Sequence, residues 1–193
     1  MIKQLSMFLA LSVVTGIPVG AQSPPASQPL TTYLQRSFAA VSKNLAAAAE
    51  IMPAENYDFK PAGAAKEVRT FAQLVEHIVA VNSYTCGFIK PAPAPKMSRT
   101  ADEPAKPALI KAIAESTAFC TEYLATLTDA ALLDTVTGKA GEREVKALKA
   151  NAIIFAIAHS NEHYGNIVTY LRANGLVPPA TAPQAGWLSP ITR

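Results

Sequence analysis

One segment, Asn151–Asn174, places the strongest constraint on how this chain folds. Its sequence, NAIIFAIAHSNEHYGNIVTYLRAN, repeats apolar residues at the spacing of an amphipathic helix. It also carries His159 and His163, and an α-helix places residues four apart one above the other on the same face. The residues that continue this face are all apolar or aromatic: Leu148, Ala152, Phe155, Ile167 and Tyr170. We therefore predict a long helix whose two imidazoles face inward at a buried divalent-metal site.

The third histidine of the chain, His77, lies on another apolar-periodic segment, which begins at Phe71. A helical bundle can bring it opposite the pair, so the predicted metal ligands are His77, His159 and His163. Three neutral imidazoles suit zinc, nickel, cobalt or iron, and they leave coordination positions open for water or substrate. The residues alone leave a second interpretation open, in which the histidines are hydrogen-bonded parts of the core.

The rest of the chain is consistent with a bundle built around these segments. Apolar periodicity predicts four helices, over residues 30–52, 70–91, 108–127 and 145–174. Thr70 and Gln73 have the spacing of a capping box at the start of the second helix. The proline-rich stretch 90–107 is expected to be a loop, and residues 128–145 a small hairpin or an irregular loop. The predicted fold class is all-α, an up-down four-helix bundle over residues 30–180.

The N-terminus has the pattern of a secretory signal peptide. Lys3 precedes an uncharged, mainly apolar run, Leu5–Ile17, and small residues then lead to a predicted cleavage between Ala21 and Gln22. We expect residues 1–21 to be removed, residues 22–29 to be a disordered tether and residues 181–193 to be a tail. The mature protein is then periplasmic or secreted, without stable membrane insertion, because the run is shorter than the ~20 residues of a membrane-spanning helix. An uncleaved anchor is the alternative.

The two cysteines, Cys86 and Cys120, fit an exported protein with one disulfide. Cys86 follows His77 by nine residues, and at about 100° per residue this is half a turn away from a whole number of turns. Cys86 should therefore point away from His77. We predict a disulfide between neighbouring helices; metal ligation and simple buried thiols are the alternatives.

Charge and motifs exclude several classes of function. The net charge is +3, and the basic residues are scattered without interleaved aromatics, so nucleic acid is not an expected partner. The string from His159 to His163 matches the H-x-x-E-H signature of inverted zinc peptidases. That family needs a downstream acidic ligand, and no Asp or Glu follows Glu162, so we reject a peptidase.

Three stretches carry a resemblance to a known family: MPAENYDFKP (52–61), FAQLVEHIVAVN (71–82) and HSNEHYGNIVTYLRANGLVPP (159–179). The chain resembles the DinB-like (DinB/YfiT) superfamily, regarded as metalloenzymes, in which the second helix supplies one histidine and the last an H-x-x-x-H pair. Tyr164 and Asn166 stand where the family commonly has Arg and Gln. Relatives include thiol-dependent S-transferases and a maleylpyruvate isomerase.

The resemblance implies an exported metal-dependent hydrolase or thiol-type transferase with a small-molecule substrate. The alternative is a non-catalytic helical binding or stress protein, in which the histidines or a bound metal serve stability. The side chains closest in sequence to the ligands that could assist catalysis are Glu76, Glu162, Tyr84 and Tyr164, and no catalytic role is assigned to any of them. Apolar bundle faces often pair, so a homodimer is an open alternative to a monomer.

Overall fold

The computed structural model describes residues 27–96, 105–140 and 142–181. The predicted signal peptide, its cleavage site between Ala21 and Gln22, most of the tether and nearly all of the tail lie outside these ranges. Four helices carry the fold: α1 (Pro29–Ile51), α2 (Phe71–Ile89), α3 (Ala105–Leu124) and α4 (Lys149–Ala173). They pack in the cyclic order α1, α3, α2, α4, so each helix contacts two others along its length. The predicted four-helix bundle is confirmed.

Helix α2 begins where the sequence predicts. The Thr70 side chain accepts a hydrogen bond from the Gln73 backbone N–H, and the Gln73 side chain accepts one from the Thr70 N–H. Helix α3 begins at Ala105, three residues before the predicted start, because Pro107 is tolerated in a first turn, where its missing N–H has no partner to lose.

The predicted start of the last helix near Val145 is wrong. A short 3-10 turn (Ala131–Leu133) leads into an antiparallel hairpin of β1 (Thr135–Ala140) and β2 (Arg143–Leu148), so the stretch from Val145 to Leu148 is extended. In that hairpin Val145 pairs with Gly138. Helix α4 begins only at Lys149, whose Nζ lies 2.9 Å from the Asp134 carboxylate beside the hairpin.

The core has two parts. One lies near the start of α2 and contains large, fully buried side chains: Met52, Tyr57, Phe71, Ile167 and Leu171. The other surrounds the Cys86–Cys120 disulfide, which joins α2 to α3. The predicted disulfide is confirmed, and the alternatives of thiol metal ligands or free buried thiols are wrong.

Helix α3 buries one face of small and apolar residues against the bundle. Ile110 and Thr117 are only half-buried, and the buried positions of the helix are Leu109, Ala112, Ile113, Ser116, Cys120 and Leu124. No helix within the described ranges is both long and apolar enough to cross a membrane.

Candidate metal centre

The structure brings all three histidines together between α2 and α4. The helices run antiparallel, since residues near the start of α2 meet the end of α4: the Tyr170 hydroxyl donates to the Arg69 carbonyl just before α2. This arrangement sets His77 opposite His159 and His163. The Nε2 atom of His159 lies 3.1 Å from that of His77 and 3.1 Å from that of His163. All three potential ligand nitrogens lie within 4.8 Å of one another.

Hydrogen bonding alone does not satisfy this cluster. A neutral imidazole has one N–H donor and one acceptor nitrogen, so the His159 Nε2 can serve one of its two neighbours but not both. The other ring nitrogen, Nδ1 of His159, is buried and has no hydrogen-bond partner among the residues that the structure describes. Buried polar nitrogens are normally paired, so three converging Nε2 atoms indicate a shared partner between them.

A divalent metal fits the donor set. Zinc binds histidine nitrogen at about 2.0–2.1 Å, so neighbouring nitrogens in a tetrahedral or octahedral site are about 2.9–3.4 Å apart. The two observed separations of 3.1 Å fall inside that interval, and the third pair of nitrogens, within 4.8 Å, must move closer together for all three to bind one ion. Imidazole ligands suit zinc, iron and nickel.

The rings are also held in the state that binds metal. Burial lowers the pKa of His159 to about 4, with further lowering from the neighbouring His163 and His77. Burial likewise lowers the pKa values of His77 and His163, and the positive charge of Arg69 adds to the effect on both. At neutral pH the three imidazoles are therefore uncharged, with a lone pair available to a metal.

Comparison with known proteins places the chain in a family. The model of the DinB superfamily matches residues 37–167, which include all three histidines. The chain belongs to the DinB superfamily. No curated protein matches it.

Solved structures share the fold of this DinB-superfamily protein. A DinB-like protein from Bacillus cereus is 17% identical in sequence, with a TM-score of 0.56. The match covers 76% of this chain and 93% of the Bacillus cereus chain. The DinB-like protein YjoA from Bacillus subtilis is 19% identical, with a TM-score of 0.56, and the match covers 74% of this chain and 92% of YjoA. A conserved protein from Enterococcus faecalis is 16% identical, with a TM-score of 0.54, and the match covers 76% of this chain and 97% of the Enterococcus faecalis chain. At these identities the likeness concerns the fold alone.

The DinB-superfamily site is more open than the sequence predicts. The three imidazoles are half-buried, and Phe155, expected to face inward, is 54% exposed while its ring lies 5.5 Å from that of His159. The reason is the rotation of α4, whose buried stripe runs beside the ligands: Ala152, Ala156, Ser160, Tyr164, Ile167 and Leu171. The histidines lie on the flank of this stripe, facing the groove between α2 and α4.

Two recesses adjoin the cluster. The first, of about 560 Å³, includes His77 and Glu76 in its walls. The second, of about 380 Å³, includes His163 and Asn166. Arg69 borders both recesses. Small molecules can therefore approach the three nitrogens from the side of the loop before α2.

The side chains considered as catalytic helpers mostly have other roles. The Tyr84 hydroxyl donates to the Lys139 carbonyl in the hairpin, and the Tyr164 hydroxyl accepts from the Ala180 N–H. Glu162 is exposed, and its charge raises the pKa of His163 against the effect of burial. Glu76 lines the recess beside His77.

The sequence interpretation assigned no role to Asn166 or Arg69. The Asn166 amide lies 3.3 Å from the Nδ1 of His163, three residues earlier on α4. A histidine that binds metal through Nε2 carries its proton on Nδ1, so the amide would present its oxygen to that proton. The spacing of three residues between His163 and Asn166 was the sequence signal from which this contact could have been predicted. Arg69 stands immediately before the helix cap Thr70, and only the tertiary structure brings it near the histidines.

Proposed function

We propose that this DinB-superfamily protein holds one divalent metal ion (zinc, nickel or iron) on His77, His159 and His163. We further propose that it is an exported hydrolase or thiol-type transferase acting on a small molecule. The observation that carries the proposal is the convergence of three Nε2 atoms: that of His159 lies 3.1 Å from those of His77 and His163. The His159 Nε2 cannot hydrogen-bond to both neighbours at once.

The surroundings of the cluster support a reactive role over a purely structural one. A structural zinc site is normally closed by four protein ligands, whereas this cluster offers three and opens onto a groove with recesses on two sides. A metal bound there would lower the pKa of a bound water toward about 7 or polarise a thiol or carbonyl. The protein residues hold the three rings neutral, and Asn166 orients His163.

The decisive experiment is the metal content of untagged protein, measured by mass spectrometry on the wild type and the H163A variant. We expect about one equivalent in the wild type and a large loss in the variant. The matched control is N161A, an exposed position on the same helix whose amide donates to the Ile157 carbonyl, and it should keep the metal. Equal metal in H163A and wild type, or none in either after incubation with zinc, nickel and iron, would refute the assignment. A metal so identified is then used in substrate screens.

Export is supported by the disulfide, because such bonds persist mainly in oxidising compartments. The N-terminal residue of the protein isolated from its host tests this part directly. Gln22 at the mature N-terminus supports a cleaved signal peptide, and Met1 supports an anchor.

A second function, a non-catalytic binding or stress protein with a stabilising metal, is favoured by one observation. The hydroxyls of Tyr84 and Tyr164 are bonded away from the ligands, so neither is placed for proton transfer at the metal. A chelator that lowers the melting temperature, together with no turnover of thiols, esters or amides by the metal-loaded protein, would favour this function.

A further inference from the structure

Arg69 lies at the end of the loop before α2, next to the recesses that adjoin the metal centre. It borders both recesses, the one that contains His77 and the one that contains His163. Of the described residues that line the two recesses, Arg69 is the cationic one common to both.

The backbone of Arg69 is fixed, although its side chain is exposed. Its carbonyl accepts a hydrogen bond of 2.8 Å from the Tyr170 hydroxyl. On one side, Val68 is half-buried against the core, and on the other, Thr70 caps α2. The preceding loop is tied as well, because the Lys60 ammonium donates to the Lys66 carbonyl. The backbone from which the Arg69 side chain extends is therefore held in place next to the two recesses.

The Arg69 guanidinium makes no ion pair with any residue in the described ranges. The Glu67 carboxylate lies 3.9 Å from the Lys66 ammonium. Three cationic side chains (Lys60, Lys66, Arg69) and two acidic ones (Glu67, Glu76) line the first recess. With three neutral imidazoles and a divalent ion, the groove has a net positive charge, which favours an anionic guest.

We propose that Arg69 binds a carboxylate group of the substrate, while another part of the same molecule meets the metal. The inference rests on the proposed function, since it requires a metal on the three histidines. A guanidinium matches a carboxylate with two parallel N–H donors, which gives orientation as well as affinity. The substrate class is thus a small molecule with a terminal carboxylate and a second oxygen or sulfur group that can ligate the metal.

The test compares anion binding by cobalt-loaded protein, followed through the visible absorption of the cobalt ion. Acetate can meet the metal or Arg69 but not both at once, and the cobalt absorption reports only the acetate on the metal. A dicarboxylate (malonate, succinate or glutarate) can bind the metal and Arg69 together. We expect at least one dicarboxylate to bind the wild type about tenfold or more tightly than acetate, as for a hydrogen-bonded charge pair. We call this ratio of affinities the dicarboxylate gain. In R69Q the dicarboxylate gain should disappear, while the affinity of the cobalt ion for acetate stays the same.

The matched control is R36Q, which removes the same charge from an exposed position on α1 that borders neither recess. It should retain the dicarboxylate gain. A gain that persists in R69Q, or is absent from the wild type, would overturn the role of Arg69. Inorganic phosphate that binds more tightly than every dicarboxylate, in a manner dependent on Arg69, would overturn the choice of carboxylate.

The number of cobalt ions bound per protein tests the proposed metal site separately from the role of Arg69. Equal cobalt uptake by R69Q and wild type shows that the substitution leaves the metal site assembled. Failure of the wild type to take up cobalt would refute the metal site itself, and the carboxylate inference with it. Normal uptake with an unchanged dicarboxylate gain would refute the role of Arg69 alone.

Discussion

Reduction of the Cys86–Cys120 disulfide should strongly lower the stability of the bundle. The bond closes a loop with a sequence separation of 34 residues between α2 and α3. The chain-entropy relation gives a stabilisation of about 4 kcal/mol for a loop of this length. Folded domains have unfolding free energies of about 5–15 kcal/mol, so this one bond accounts for a large share.

The assay is urea unfolding, followed by circular dichroism, with and without a reductant. With a slope of about 2 kcal/mol per molar urea, the midpoint of the reduced protein should fall by about 2 M. The C86A/C120A variant is the control, because it has no disulfide and its midpoint should not respond to the reductant. A reduced wild type that unfolds at the same urea concentration as the oxidised protein would refute the loop-closure argument.

The same reduction should leave the metal centre in place under native conditions. The disulfide joins α2 to α3, whereas the histidines lie between α2 and α4. We therefore expect the reduced, folded protein to keep its metal content. A loss of metal in parallel with reduction would show that the site depends on the position of α3.

Three further predictions concern single side chains. N166A should weaken metal affinity about 10–100-fold, measured by competition with a chelator, because His163 loses the amide beside its Nδ1; unchanged affinity would contradict this. The metal-free protein should lose stability as pH falls from 6.5 to about 4, because the unfolded chain protonates His159, whose pKa the fold lowers to about 4. Urea unfolding at several pH values in this range should show a smaller change of unfolding free energy with pH in H159N than in the wild type. The same pH dependence in both proteins would contradict the assignment to His159. Y57F should cost about 1–3 kcal/mol in urea unfolding, since the buried Tyr57 hydroxyl donates to the Ala49 carbonyl, and a neutral effect would contradict it.

The sequence predicts the grouping of the site because helical spacing is a local property. The i, i+4 pair on α4 and the separate apolar segment around His77 are enough to expect three imidazoles near one point. The disulfide follows from the same arithmetic, since the angle between His77 and Cys86 on α2 directs them to different neighbours. In the structure His77 faces α4 and Cys86 faces α3.

Other features depend on contacts that the local pattern does not encode. The hairpin is one of the two forms predicted for residues 128–145, but it extends to Leu148 because Val145 and Ala147 pair with Gly138 and Val136. The start of α4 is thus decided by a sheet and not by helix periodicity. Arg69 lies next to the site through a tertiary contact, since the Tyr170 hydroxyl near the far end of α4 donates to its carbonyl.

The rotation of α4 decides what kind of site this is. Apolar periodicity allows the buried stripe to be centred on the histidines or one residue away, and the structure selects the second because Ser160 is fully buried and donates to the Asn82 side chain on α2. Small residues at the centre of the stripe let α4 approach its neighbours closely. The bulky imidazoles of His159 and His163 are thereby left at the flank, beside His77 and open to the groove between α2 and α4, as the proposed metal-dependent function requires. Had the histidines occupied the stripe itself, the same ligands would form an enclosed site suited to stability alone.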